Sequence, residues 1–329
     1  MAIGEGTMCC DGVRFGPAIT AGDTVSTDAP NAPDRLTLAA FSACVMIGGT
    51  NFVAVRYSNR ELEPLFGAGL RFSAAAVLFL AFMALRRIGF PRGKELVVAA
   101  LYGVLSFTVT YAAAYWALQE LSAGVAALVF GATPLITIML AALHGLERVT
   151  RRGLLGSLIA IVGIAVIANP GGDSVPLLRL GAVLLASAAA AEASVIVKLV
   201  PPTHQVATNA TSMAIGSASL LVLSAALNEA WVIPQSAQTR VALGYLVVLG
   251  SVGLFALFLF TLGRWTASAV AYVTPLMPVV ALAAGAVIAG EEITRAGVVG
   301  GVIVIAGVWI GVLWRPRRRG NSEPQPAEA

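Results

Sequence analysis

Charge is scarce in this sequence. Only 12% of its 329 residues are Asp, Glu, Lys or Arg, and 58% are hydrophobic, where soluble globular domains carry roughly 25% charged residues. Mean hydropathy is +0.85. A soluble domain is excluded, and a membrane protein is left. Histidine occurs twice, at His144 and His204, near the ends of different apolar runs. There is no HExxH, GxSxG, phosphate loop or Cys/His metal spacing. Those absences exclude the common hydrolases, metal catalysis and ATP-driven pumping by this chain. A filter-like loop or charged ring of the kind that builds a channel is absent too. The chain is therefore expected not to be an enzyme and to use no cofactor and no metal. Cysteine is limited to Cys9, Cys10 and Cys44, and a structural disulfide is not expected in a cytoplasmic tail and a first helix.

What is present is apolar sequence in lengths near the ~20 residues that cross a hydrocarbon layer as a helix. Ten such stretches run over about 36–56, 64–85, 95–118, 122–143, 152–169, 176–199, 205–227, 241–263, 267–289 and 295–314. The connections between them are short and marked by charge, proline or glycine. Residues 1–34 lack the apolar core of a signal peptide and read as a flexible tail. Residues 315–329 read as a basic, then disordered tail. With ten crossings and the N-terminus inside, Arg14, Arg35, Arg86, Arg87, Arg92, Lys94, Arg148, Arg151, Arg152, Lys198, Arg264, Arg315, Arg317, Arg318 and Arg319 fall on the inner side. Arg56, Arg60, Arg179, Arg240 and Arg295 fall on the outer side, and Arg71 lies within the second stretch. The excess of inner Lys and Arg puts both termini in the cytoplasm. The net charge of +4 is thus a topology signal, and no nucleic-acid partner is expected; membrane lipid is.

Shifting the chain by 144 residues lays TPLITIMLAALHGLERVTRRGLLGSLIAIVG over MPVVALAAGAVIAGEEITRAGVVGGVIVIAG. Pro134 meets Pro278, Glu147 meets Glu291, Thr150 meets Thr294, and Arg151 meets Arg295. Gly153, Gly156 and Gly163 meet Gly297, Gly300 and Gly307. The fold expected is all-α and polytopic: ten transmembrane helices in two five-helix repeats, 36–169 and 176–314. Because five is odd, the second repeat enters the membrane from the opposite side. Inverted repeats are a plan of secondary transporters, with the substrate site where the halves meet near the midplane.

GGTNFVAVRY (48–57), EPLFGAGLRF (63–72), the Pro-to-Glu stretches 134–147 and 278–291, and TPLMP (274–278) together resemble the drug/metabolite transporter superfamily, in its members built of two EamA domains. The resemblance covers 36–314. It implies a secondary transporter that exports amino acids, other metabolites or toxic compounds across the bacterial inner membrane. The pattern departs at Gly48, where many members carry Trp before the glycine, and at Glu192, where an aromatic is common. A lining changed at both positions implies an unusual substrate. A non-transporting membrane scaffold or receptor is the alternative.

Glu192 stands alone in AAAAEASVIVK (188–198). A carboxylate at mid-helix costs about 2.5–3.5 kcal/mol to insert. Lys198 does not offset it, because six residues leave the two side chains about 240° apart around a helix. Glu192 is therefore a candidate for substrate-amine contact or for handling protons, or else a tie between helices. Arg71 is a candidate for a substrate carboxylate, or for a helix end or headgroup. Tyr111 and Tyr115 share one helix face and are candidate cavity lining. Thr50, Asn51, Asn209, Tyr272 and Thr274 are polar groups at depth, either lining or glue between helices. Pro134, Pro275 and Pro278 are candidate helix breaks that free backbone carbonyls. Glu147 and Glu291 are candidates for caps or gate contacts. The partners expected are a small-molecule substrate and lipid, with protons and a second copy of the chain kept open.

Overall fold

An apolar run in hydrocarbon must satisfy its own backbone, and a helix does so within one segment. The computed structural model, which describes residues 33–118, 129–168, 176–201, 204–289 and 295–313, contains no strand among them. Its helices are α1 (Arg35–Ser58), α2 (Pro64–Arg86), α3 (Lys94–Gly103), α4 (Thr110–Leu118), α5 (Thr133–Leu143), α6 (Arg151–Ala168) and α7 (Leu177–Ile196). They continue as α8 (Gln205–Ala226), α9 (Ala237–Val247), α10 (Leu254–Arg264), α11 (Ala267–Ala271), α12 (Val273–Ala289) and α13 (Arg295–Val308). Almost all of both tails, with the expectations placed on them, lies outside the described residues, and so does Glu291.

Among the described residues, eight helical stretches are long and apolar enough to cross a membrane: Arg35–Val55, Pro64–Arg86, Lys94–Ala117, Leu177–Leu199, Gln205–Ala226, Ala237–Arg264, Ala267–Ile288 and Arg295–Val312. The shorter apolar helix Thr133–Leu143 accompanies them. The chain is thus a multi-pass helical membrane protein. Large apolar side chains coat its outside, among them Leu85, Leu177 and Val287, each more than four-fifths exposed. Hydrocarbon is the solvent that such a surface fits.

Two of the long helices are interrupted by π-helical turns. Val104–Val109 joins α3 to α4, and Val248–Gly253 joins α9 to α10. Their starts, 104 and 248, differ by 144, and so do their ends, 109 and 253. Such turns are frequent at functional sites, and the second bears directly on the polar groups described below.

Helix pairing follows small residues. α6 packs along α13, α2 along α8, α1 along α12, and α7 against α4 and α5. At the α6–α13 seam a Cβ on Gly156 would lie 2.5 Å from Gly311 Cα and 2.6 Å from the Gly307 carbonyl. Only glycine lets the two backbones approach this closely. At Gly48 the neighbour is the end of the Met277 side chain of α12, whose Cε lies 2.2 Å from where a Cβ would sit.

Polar contacts tie the bundle at both ends. At one, Asp34 caps α1 by accepting from Thr37 N (2.9 Å) and pairs with Arg264 at the end of α10 (3.3 Å). The hydrogen bonds from Thr37, with Arg264 in support, hold the Asp34 carboxyl below its usual range. At the other end, Glu229 accepts from Leu65 N (3.1 Å) and Phe66 N (2.7 Å), capping α2 from across the bundle. Beside it Glu61 accepts from Gln235 N (2.6 Å), Ser236 N (3.1 Å) and Thr239 Oγ1 (2.8 Å) at the start of α9. Hydrogen bonds from Ser236, Gln235 and Thr239 lower the Glu61 carboxyl to about 2.

Candidate functional site

Arg71 lies two turns into α2 and is 3% exposed. Its Nε donates to Ser251 Oγ (3.2 Å) and a terminal nitrogen donates to the Gly250 carbonyl (3.4 Å). Both acceptors belong to the π-helical turn Val248–Gly253. That turn displaces the i→i−4 ladder, so the Gly250 carbonyl is available to side chains. Asn51 of α1 donates to the same carbonyl (3.2 Å), while its own Oδ1 is buried without a partner. Gly250 makes this possible, since a Cβ there would fall 2.4 Å from Asn51 Oδ1.

No carboxylate pairs with Arg71 among the described residues. Aromatic faces surround it instead. Its guanidinium carbon lies 4.5 Å from the Phe72 ring centroid and 5.6 Å from that of Tyr111. Tyr111 meets Phe72 edge-on at 4.8 Å and Tyr115 at 6.1 Å. Phe107 and Phe255 close the cluster, with centroids 4.7 Å apart. The structure thus brings together Asn51, Arg71, Tyr111 and Tyr115, four residues singled out from sequence. Both tyrosines are half-buried. A guanidinium held this way can present its remaining N–H groups to an incoming anion, and its planar fork suits a carboxylate.

The other sequence candidates lie elsewhere. Thr50 donates back to Met46 O (2.9 Å) and Ile47 O (3.0 Å) and touches the Tyr245 hydroxyl. It borders a groove of about 530 Å³ between α1, α9 and the far end of α12, lined also by Tyr57, Gln238 and Ile288. Asn209, near the start of α8, donates to Phe255 O (3.1 Å) and leaves Oδ1 buried and unpartnered. Tyr272 is 1% exposed. Its hydroxyl donates to Gly153 O (2.7 Å) and meets Ser157 Oγ (2.8 Å). It is thereby committed to the α6–α13 seam. Thr274 is half-buried in the first turn of α12.

Pro134 and Pro275 stand in first helical turns, where no backbone N–H is missed. A turn at 131–132 precedes the first, and Tyr272 separates α11 from α12 just before the second. Pro278, inside α12, is the one that removes a helical hydrogen bond. Glu147 accepts from Ser268 N (3.2 Å) at the start of α11.

Glu192 finds its partner on a residue that the sequence pattern did not single out for it. His144, just past α5, places Nε2 3.3 Å from Glu192 Oε1, while its Nδ1 lies 2.9 Å from Leu140 O. Glu192 Oε2 is buried and unpartnered. A signal was available, since one of only two histidines ends the run that precedes GLERVTRRG.

Comparison with known proteins adds the family context. The model of the EamA-like transporter family matches residues 36–169 and 176–313. The chain is 30% identical over 288 residues to a "Probable amino-acid metabolite efflux pump" of Salmonella typhimurium, covering 83% of this chain and 94% of that protein. It is 29% identical over 277 residues to the "Uncharacterized inner membrane transporter YedA" of Escherichia coli K12, covering 82% and 89%. Over a shorter span of 84 residues it is 34% identical to a "Probable terminal-alkyne amino-acid exporter" of Streptantibioticus cattleyicolor, covering 26% and 28%. A solved crystal structure shares the fold at a TM-score of 0.70 and 16% identity, covering 84% of this chain and 96% of that one.

Proposed function

Because this chain belongs to the EamA-like transporter family, we propose that it is a secondary transporter exporting an amino acid or a closely related carboxylate by alternating access, with Arg71 receiving the carboxylate. One observation carries the substrate class: a guanidinium 3% exposed whose polar partners are the neutral Ser251 and Gly250. Burying a charge without a counter-charge is costly, and the cost is relieved when an opposite charge arrives. A substrate carboxylate brings that charge, and Tyr111 and Tyr115 flank the position with ring faces and edges that suit an apolar side chain. Relatives named as an amino-acid metabolite efflux pump and an amino-acid exporter support the same class.

The architecture proposed is ten membrane crossings in two inverted repeats, 36–169 and 176–314, with both tails in the cytoplasm. Its support is the recurrence of π-helical turns at a spacing of 144, together with helix pairing. Under that shift α6 corresponds to α13 and α2 to α8, and each pair packs together. Under the same shift α1 corresponds to α7 and α12 to α5, and the α1–α12 contact has its counterpart in α7–α5. Two equivalent halves of opposite orientation can exchange conformations across a shared site.

The test is counterflow in proteoliposomes holding the purified chain, with a panel of radiolabelled L-amino acids. Retention of label driven by unlabelled amino acid inside supports the proposal. Absence of counterflow across the panel and its decarboxylated analogues contradicts it.

A further inference from the structure

One titratable pair bridges the two homologous stretches. His144 follows α5 in the first, Glu192 lies near the end of α7 in the second, and α5 packs against α7. Nε2 and Oε1 are 3.3 Å apart, and the two side chains are 26% and 24% exposed.

The geometry fixes where hydrogens are needed. A backbone carbonyl only accepts, so the 2.9 Å contact with Leu140 O puts a hydrogen on Nδ1. In the neutral imidazole Nε2 then carries a lone pair and points it at Oε1. If Glu192 were ionised at the same time, two lone pairs would face each other. One proton, on Nε2 or on Oε1, converts the contact into an attraction. That proton belongs to the pair and not to either residue.

We infer that the His144–Glu192 pair is the proton-binding site that couples transport to a proton gradient. The inference rests on the transporter reading above and adds the coupling ion. One member sits in each homologous stretch, so the pair exists only while α5 and α7 are together at this end of the bundle. When the halves rock apart, the shared proton loses one of its two partners and the affinity for it changes. By linkage, the proton favours conformations in which the pair is made. One proton taken up on one side of the membrane and released on the other then exchanges for one substrate molecule, and the proton count balances. The charged groups on the elements around the pair are Lys198 beyond α7, Glu147 and Arg148 between α5 and α6, Arg151 and Arg152 at the start of α6, and Lys94 and Glu95 at the start of α3. They set the electrostatic field around it.

The experiment uses the full chain in liposomes of phosphatidylethanolamine and phosphatidylglycerol, with a mixture of radiolabelled neutral L-amino acids as probe. Two readouts are compared: exchange without a pH gradient, which needs no net proton movement, and accumulation driven by a gradient. For one proton per substrate, a one-unit gradient changes the wild-type accumulation ratio by about tenfold. Glu192→Gln and His144→Gln should retain exchange, hold a ratio near unity and abolish the signal of an internal pH dye. Variants that still accumulate substrate like wild type, or wild-type accumulation indifferent to the gradient, would overturn the inference while leaving the transporter reading intact. Wild type that exchanges nothing overturns both. A pH-difference infrared spectrum of the purified wild type gives a readout independent of transport. Its carboxyl and imidazole bands should titrate together and change together in either variant, and independent titration contradicts the pairing.

Discussion

Arg71 donates to Ser251 Oγ across 3.2 Å, joining a buried arginine of α2 to a π-helical turn that also offers the Gly250 carbonyl. A cation held by neutral acceptors is firmly placed but electrostatically unanswered. Substituting it should therefore affect transport more than folding.

Arg71→Lys keeps the charge and loses the planar fork. Hydrogen bonds to charged groups contribute about 1.5–3 kcal/mol, so KM for an amino acid should rise about 10- to 100-fold with kcat little changed. Arg71→Met should abolish saturable transport and unfold in detergent at the same or a higher temperature than wild type, because an uncompensated buried charge has been removed. A marked drop in unfolding temperature with transport preserved would make Arg71 a structural tie.

At the α6–α13 seam Gly156→Val must push apart backbones whose nearest atoms lie about 2.5 Å from the new Cβ. Overpacking of this kind costs about 1–3 kcal/mol, seen as a lower midpoint in thermal or denaturant unfolding. Gly181→Ala, inside α7 where nothing lies within 4 Å of the new Cβ, should hold or raise the midpoint, because alanine favours a helix over glycine.

The Glu61 carboxyl titrates at about 2 in the folded chain against 4.5 ordinarily. A depressed carboxyl contributes stability that is fully present above its unfolded value and is lost as pH falls through the folded one. Wild type should therefore exceed Glu61→Gln in unfolding temperature by a constant margin above pH 4.5, and the margin should shrink between pH 4.5 and about 2. A margin independent of pH across that window contradicts the assignment.

Tyr272→Phe removes a hydroxyl bonded to Gly153 O and Ser157 Oγ, while Ser157 keeps its own bond to Gly153 O at 2.7 Å. A loss of about 1 kcal/mol in stability is expected, with transport kinetics close to wild type. A large rise in KM would place this ring against substrate instead.

Much of the fold was legible because hydrocarbon leaves so few solutions. Apolar length gave the helices, and the matched Pro, Glu, Thr, Arg and Gly positions gave the 144-residue shift. The π-helical turns were not legible, since inserting one depends on the hydrogen-bond register of a whole helix, and VLSFTV and VLGSVG share only an opening Val-Leu that is ordinary in any apolar helix. Arg71 could be seen as a deep charge, but its acceptors come from such a turn, far along the chain. Helical geometry correctly separated Glu192 from Lys198. It could not supply His144, which reaches Glu192 only because α5 and α7 pack together. Tyr272 shows the converse: a polar residue at membrane depth whose hydroxyl is spent on a helix seam.

The claim that Arg71 receives a carboxylate is tested most directly by competition. Counterflow of a radiolabelled amino acid into proteoliposomes is measured against the unlabelled amino acid and against its decarboxylated amine, in wild type and in Arg71→Lys. The amino acid should compete in wild type at least tenfold better than the amine, and Arg71→Lys should narrow the difference. Equal competition by the two compounds in wild type would contradict it.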